Sequence, residues 1–423
     1  MNPNEKIIEP RVIGLDAHPD TFTAALIRGA TPAAAIVEKT FDQVPLSGLQ
    51  SWAQKHTRAQ DQIVLEASGN SFEVVRKLAA VDRKALVLES GHLGKLKEGH
   101  ANNDKISAVR MGKAYLAGTA KTVWVPDPQT QERRDWFHAH RKAVKRSTQM
   151  RNRLCSYLSD NGVRLAPKTA LAADPQKAKA QIQSARSWTS RQGQVIEGLF
   201  LELVHADQHR RPWRSLIAQE VLTDPLMLSA VRLCGVRDLS AFALVAIIGE
   251  IKRFARPGSL VKYLGLNPAF DESGQEKWTG GIGGHGRKDL RCLLIEGAQA
   301  ILRCAKTPLA QWGRKLLARK GQKNLVVAAM ARKLAVALWY LLMGRWTPLE
   351  EIDLSVEIKL GKIISQVAPA KELAAKVGQS RSAYYQQIVQ RLKTGRVYTL
   401  DPNKKFTPRP VPSTTLAQEY GLA

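Results

Sequence analysis

At 423 residues the chain is long enough for two or three domains with cores of their own. A hydrophobic share of 44% excludes wholesale disorder, and a formal net charge of +27 points to a polyanionic partner, nucleic acid before any other. The longest apolar runs, such as LAVALWYLLMG after Lys333, are too short to span a bilayer, so no membrane role is expected.

The N-terminal MNPNEKIIEPR has no apolar signal region. Cys155, Cys234, Cys292 and Cys304 are scattered without a C-x-x-C pair. Both features lead to the expectation of a cytoplasmic chain with reduced, core-buried thiols and no zinc knuckle.

In chain order, RVIGLDAH reads as a buried strand ending in an acid, and TFTAALIRG as its hairpin return. DQIVLEASG and KALVLES are two further apolar runs, with the helical SFEVVRKLAA between them. A helix is expected from Lys105 to Ala117. The pattern predicts an α/β layer domain over residues 1–127, closed by the linker VWVPDPQT.

Residues 128–223 carry apolar residues at helical spacing in MRNRLCSYLSDNGVRL and QVIEGLFLELVHA, which predicts a long, coiled-coil-like helical pair. The basic flank with Arg133, Arg134, Arg141, Lys142, Lys145 and Arg146 is either a solvated face or a contact for a nucleic-acid backbone. Residues 224–347 are expected to be mainly helical. They open with a helix–Gly–helix hairpin around Gly235, read either as a C-cap or as a phosphate-facing turn. They close with the strongly helical LRCLLIEGAQAILRCA and VVAAMARKLAVALWYLLM. Residues 348–423 read as a basic, loosely ordered tail ending in DPNKKFTPRPVPS.

Two places carry candidate chemistry. Asp16 and Glu66 end strands and Asp104 starts the next helix, positions that converge in α/β sheets. Grouped carboxylates suit Mg²⁺, and two such ions about 4 Å apart polarise a phosphodiester. Spacing alone leaves a metal site and three unrelated surface acids both open. The second place is the loop FDESGQEKWTGGIGGHGRKDLR. Its Gly281, Gly283 and Gly286 spell G-x-G-x-x-G, but no buried strand precedes them, which argues against dinucleotide binding. Backbone-rich and carrying Lys277, Arg287, Lys288 and Arg291, the loop suits an approach to phosphates. Ser273 is either an exposed nucleophile or an ordinary turn serine, and His285 reads as a loop histidine.

Together these blocks resemble a known family. VIGLDAH, VLEASGNS and NDKISA are similar to the three acidic blocks of the DEDD domain in IS110-type transposases. CGVRDLSAFALVAIIGEIKRFARPGSLVKYLGLNP, SGQEKWTGGIGGHGRKDLRCLLIEGAQA and ARKLAVALWYLL resemble the serine-bearing domain of the same family, and the length and tail look more like its IS1111 branch. The resemblance implies an α/β RNase H-like (RuvC-like) N-terminal domain, a helical or coiled-coil middle and a mainly α-helical serine-bearing C-terminal domain. It also implies a DNA recombinase with Mg²⁺ held by Asp16, Glu66 and Asp104, and with Ser273 as a nucleophile that forms a covalent DNA intermediate. Its implied partners are double-stranded donor and target DNA, a structured bridge RNA that guides it, and further copies of the chain in a dimer or tetramer. The family pattern has a second Asp three residues after the first in the third block. Here that position is Ser107. Two rivals stay open: a RuvC-like junction nuclease using metal-activated water, and a nucleic-acid-binding scaffold whose site has decayed at Ser107.

Overall fold

The computed structural model describes residues 11–95, 103–164, 175–273, 276–283, 285–305, 307–346, 356–394, 397–400 and 409–410. The chain divides into two compact units, Met1–Asp127 and Pro128–Ala423.

In the first unit, β1 (Arg11–Ala17), β2 (Thr21–Arg28), β3 (Ile36–Pro45), α1 (Leu49–His56), β4 (Gln62–Glu66), α2 (Ser71–Ala79), β5 (Ala85–Leu88), α3 (Ser90–Lys95), α4 (Asp104–Leu116) and β6 (Thr122–Val123) build a mixed α/β layer. The sheet order is β3-β2-β1-β4-β5-β6. β1, β2 and β3 run antiparallel, while β4 and β5 continue parallel to β1.

Side chains alternate across a strand, and the two faces of β1 bury different partners. Ile13 and Leu15 enter a core with Trp52 and Leu78 from α1 and α2. Val12 and Val64 pack instead with Met111 and Ala114 of α4. Gly14 lies on this second face, where a Cβ would come 1.8 Å from the carbonyl oxygen of Ala108. Only glycine permits that approach of α4 to the central strand. The sequence reading missed β3 and α1. β3 is an edge strand whose residues are nearly all exposed, so it lacks an apolar signature. α1 has only three buried residues, Leu49, Trp52 and Ala53.

The second unit begins with α5 (Pro128–Asp160), α6 (Pro175–Ser184) and α7 (Ser190–Thr223). A capping box starts α7: Gln192 N donates to Thr189 Oγ1 at 3.2 Å, and Thr189 N to Gln192 Oε1 at 3.1 Å. α5 and α7 pack antiparallel. Leu154 and Leu158 meet Ile196, Phe200 and Leu203 at one end. At the other end Arg133 bonds Glu220 and Asp224.

α8 (Pro225–Ala230), α9 (Asp238–Ile248), α10 (Pro257–Tyr263), the antiparallel hairpin of β7 (Pro268–Ser273) and β8 (Glu276–Ile282), α11 (Lys288–Cys304), α12 (Pro308–Lys320) and α13 (Lys323–Leu342) follow. Gly235 is no helix C-cap. It sits in the turn between α8 and α9 at φ 78°, where a Cβ would meet Gly297 O of α11 at 2.8 Å. α13 is longer than the apolar run suggested. Its length and composition would allow it to cross a bilayer, but 61% of its most apolar window is buried in this unit's core.

The stretch after Pro348 departs from the expected loose tail. α14 (Val356–Val367), α15 (Ala370–Val377) and α16 (Arg381–Thr394) place Leu360, Ile364, Leu373 and Ile388 in the same core as α9 and α13. Their apolar residues are sparse but recur at helical spacing, and a tertiary partner makes such helices stable. Most of DPNKKFTPRPVPS lies outside the described residues. Cys234 is buried as expected, whereas Cys292 and Cys304 are exposed. α11 turns Leu290, Leu294, Ala298 and Ile301 inward, and these two thiols lie off that stripe.

Candidate functional site

Alternation along two strands and the start of one helix assemble the acidic cluster. Asp16 and Glu66 share the α4 face of the sheet with Val12 and Val64. The parallel pairing of Leu15 with Leu65 puts the two acids side by side at the strand ends. The Asn103 side chain caps α4 by accepting from Ile106 N at 2.8 Å, which makes Asp104 the first helical residue. The close packing at Gly14 then brings that first turn over Asp16.

One residue joins this group that was not singled out from sequence. His18 Nε2 lies 3.2 Å from Asp104 Oδ2. One ligand atom each from Asp16, His18 and Asp104 lies within 4.8 Å of the others. The His18 backbone is held on both sides: its N–H donates to Thr21 O at 2.8 Å, and its carbonyl accepts from Asn70 Nδ2 at 2.8 Å. The available signal was the spacing in LDAH, where i and i+2 on an extended strand share a face.

Burial is the main force holding the Asp16 carboxyl above its usual range. His18 counters it, the negative charges of Asp104 and Glu66 add to it, and a hydrogen bond from Ser107 opposes it. Ser107 therefore points into the cluster and donates to Asp16. Its hydroxyl meets a carboxylate without adding charge.

The donor set fits a divalent cation. Ligands of an octahedral ion bound at about 2.1 Å lie roughly 3–4 Å apart, within a small side-chain adjustment of the spread seen here. Carboxylate oxygens are the donors hard cations prefer. His18 and Asp104 are 46% and 40% exposed, which leaves room for a substrate oxygen.

Ser273 belongs to the second unit. It is the last residue of β7, opposite Glu276, at the tip of a hairpin where the sequence reading expected an open loop. Cross-strand pairing of Phe270 with Thr279 and Asp271 with Trp278 supplies the order that local composition hid. Its side chain and that of Lys277 lie outside the described residues.

Residues 231–312, which span α9, the hairpin and α11, match the model of the "Transposase IS116/IS110/IS902 family". The chain is 24% identical over 288 residues to "Transposase for insertion sequence element IS1111A" of Coxiella burnetii, covering 67% of this chain and 78% of that protein. It is 23% identical over 310 residues to "Putative transposase y4qE" of Sinorhizobium fredii, covering 65% and 73%. Over 111 residues, 26% of this chain and 32% of the relative, identity to "Probable family 20 transposase" of Pseudomonas aeruginosa is 37%. The chain is thus similar to transposases of the IS110 family.

Several basic residues expected to meet nucleic acid have structural work in this chain. Arg133 is held by Glu220 and Asp224, the latter at 2.8 Å. Arg134 donates to the carbonyls of Ala246 and Ile247 at the end of α9. Arg291 Nη1 donates to Gly265 O and His285 O, bracing the hairpin base. Arg287 is bound by Asp289 through both Nε and Nη2. A guanidinium has five N–H donors, no acceptor and weak hydration, so where it is partly buried nearby carboxylates and carbonyls take its hydrogen bonds. Arg141, Lys142 and Lys288 remain exposed.

Proposed function

We propose that the chain cuts and rejoins DNA strands to move an insertion element. In this reading the first unit is an RNase H-like (RuvC-like) domain and Asp16, Glu66 and Asp104 hold Mg²⁺. Ser273 forms a covalent link to DNA. The observation that carries it is the convergence on Asp16 of Asp104 from α4, within the compact ligand group, and of the Glu66 charge from β4, in a chain whose residues 231–312 match the transposase family. The strand order, antiparallel through β1–β3 and parallel through β4 and β5, supports the RNase H-like assignment.

When bound, the ion supplies Lewis-acid polarisation of a phosphodiester and stabilises the leaving oxygen. The chain's own residues orient and hold the reacting groups. Ser107 fixes the Asp16 carboxylate through its hydroxyl, and Asn70 holds the His18 backbone. In the covalent step the Ser273 oxygen bonds to phosphorus, the bond from phosphorus to the leaving sugar oxygen breaks, and the proton given up by the serine hydroxyl ends on that leaving oxygen as a free sugar hydroxyl. The net charge of +27 suits two duplexes and a guide RNA, with active sites paired between copies in a dimer or tetramer.

Labelled DNA run on a denaturing gel with the enzyme and Mg²⁺ tests the reading. A protein–DNA adduct is expected. Free cut ends without adduct would favour a junction nuclease, and intact DNA that only shifts on a native gel would favour a scaffold.

The Ser107 position gives a finer test. A cluster short of one carboxylate binds hard cations more weakly, since ligand charge sets much of that affinity. Ser107→Asp is expected to lower the Mg²⁺ concentration for half-maximal cleavage. Superimposable Mg²⁺ titrations of the two proteins would remove Ser107 from the metal site.

A further inference from the structure

The second unit contains a cavity of about 790 Å³ that the strand-transfer reading leaves unused. α5, α7, α9, α11 and α14 contribute its wall. Arg210, Arg214, Arg237 and Lys359 line it against Asp238 and Glu296. Two of the cations are held in place by acids. Arg210 donates through Nε and Nη2 to Asp207 Oδ1, and Arg214 Nη2 pairs with Asp238. Each pairing leaves further guanidinium donors. Lys359 Nζ is tied to the carbonyls of Val231, Leu233 and Val236. Apolar surface of Leu239, Leu293 and Ile301 completes the lining.

His140 also lines this cavity. It is 2% exposed, and neither Nδ1 nor Nε2 has a hydrogen-bond partner. Burial first, then the charges of Arg214 and Arg210, push its pKa down to about 4, while Asp238 opposes them. The ring is therefore neutral near pH 7, with one N–H donor and one acceptor nitrogen. A buried polar ring without a partner is costly and calls for a physical explanation. Cationic neighbours, an orphan donor and an apolar wall within a ligand-sized volume describe an amphipathic anion.

We infer that the cavity binds a nucleoside monophosphate unit. His140 donates to a phosphate oxygen beside Arg210 and Arg214, and the base lies on Leu239, Leu293 and Ile301. The unit is a free nucleotide or one residue splayed from a single strand. The inference is independent of the acidic cluster and of Ser273, so failure of either reading leaves the other standing.

Two exposed cysteines on α11 provide the readout in the full-length protein. Cys304 lines the cavity and Cys292 does not. Saturating 5′-adenosine monophosphate is expected to slow iodoacetamide alkylation of Cys304 at least about fivefold, read by peptide mass spectrometry, with Cys292 unchanged. Adenosine should protect far less. Protection by a short single-stranded oligonucleotide, at concentrations where the mononucleotide fails, assigns the occupant to a strand. Protection by the mononucleotide itself assigns a free ligand. His140→Leu, close in volume and unable to donate, should weaken protection at least about tenfold, the worth of a hydrogen bond to a charged group. Val144→Trp, which narrows the cavity from α5, should abolish protection and serves if the leucine variant does not fold. Protection by neither probe, equal protection by adenosine, or full protection in a folded variant overturns the inference.

Discussion

Asp16→Ala is expected to reduce strand cleavage by more than about 100-fold while the first unit keeps its fold. Removing a supporting partner of a metal ligand already costs roughly 10–100-fold, and a direct ligand costs more. Asp16 is the best placed of the three acids, since Glu66, Asp104, His18 and Ser107 all act on its carboxyl. Retained folding follows from the direction of its pKa. An acid whose pKa is higher in the folded than in the unfolded chain favours the folded state while protonated. That advantage is complete below the ordinary carboxylate value of about 4 and is lost as pH rises through the raised folded value. At pH 7 the ionised Asp16 is therefore a net cost to folding. Asp16→Asn should melt at the same temperature as the natural chain or higher at pH 7, measured with a chelator present, and the gap should close below about pH 4. Loss of cleavage together with a lower melting temperature would make Asp16 a structural residue. Cleavage at the natural rate would exclude it from the site.

Ser273→Ala is expected to eliminate the covalent protein–DNA adduct without weakening DNA binding. The substitution removes a single hydroxyl oxygen from the residue that ends β7 opposite Glu276. A serine hydroxyl becomes a useful nucleophile only when a neighbouring group takes its proton or polarises it. In the same unit, Lys288 at the start of α11 is exposed, as is Arg141, which lies 3.7 Å from Asp289. Adduct on a denaturing gel and retention on a native gel, measured on the same samples, separate chemistry from binding. An adduct that persists in the alanine variant places the nucleophile elsewhere. Loss of binding alongside loss of adduct would make the hairpin a contact surface.

Much of the first unit was readable because its strands are buried on both faces and its helices carry clear apolar stripes. RVIGLDA, TFTAALIR, QIVLE and ALVL needed no tertiary information to be recognised as strands. β3 was not readable because an edge strand carries almost no apolar signal, and the hairpin at residues 268–282 hid behind its glycines. The three helices that begin at Val356 escaped because their apolar residues are sparse and their stability comes from the core they join, part of which, at α9, lies more than a hundred residues away in sequence.

The sequence alone determined the charge, the acids at the ends of strands and the resemblance that named the family, since these depend on residue identity and short-range order. Which residues meet was decided only by tertiary structure. Gly14 lets α4 come close enough for Asp104 and Ser107 to reach Asp16, and a strand period of two turns His18 toward the same place. Arg133, Arg134, Arg287 and Arg291 look like any other surface arginines in one dimension, yet the fold supplies each with carboxylates or helix-end carbonyls. Electrostatic and hydrogen-bond partners fall off within a few ångströms, so residues distant in sequence become partners only when the backbone has brought them together.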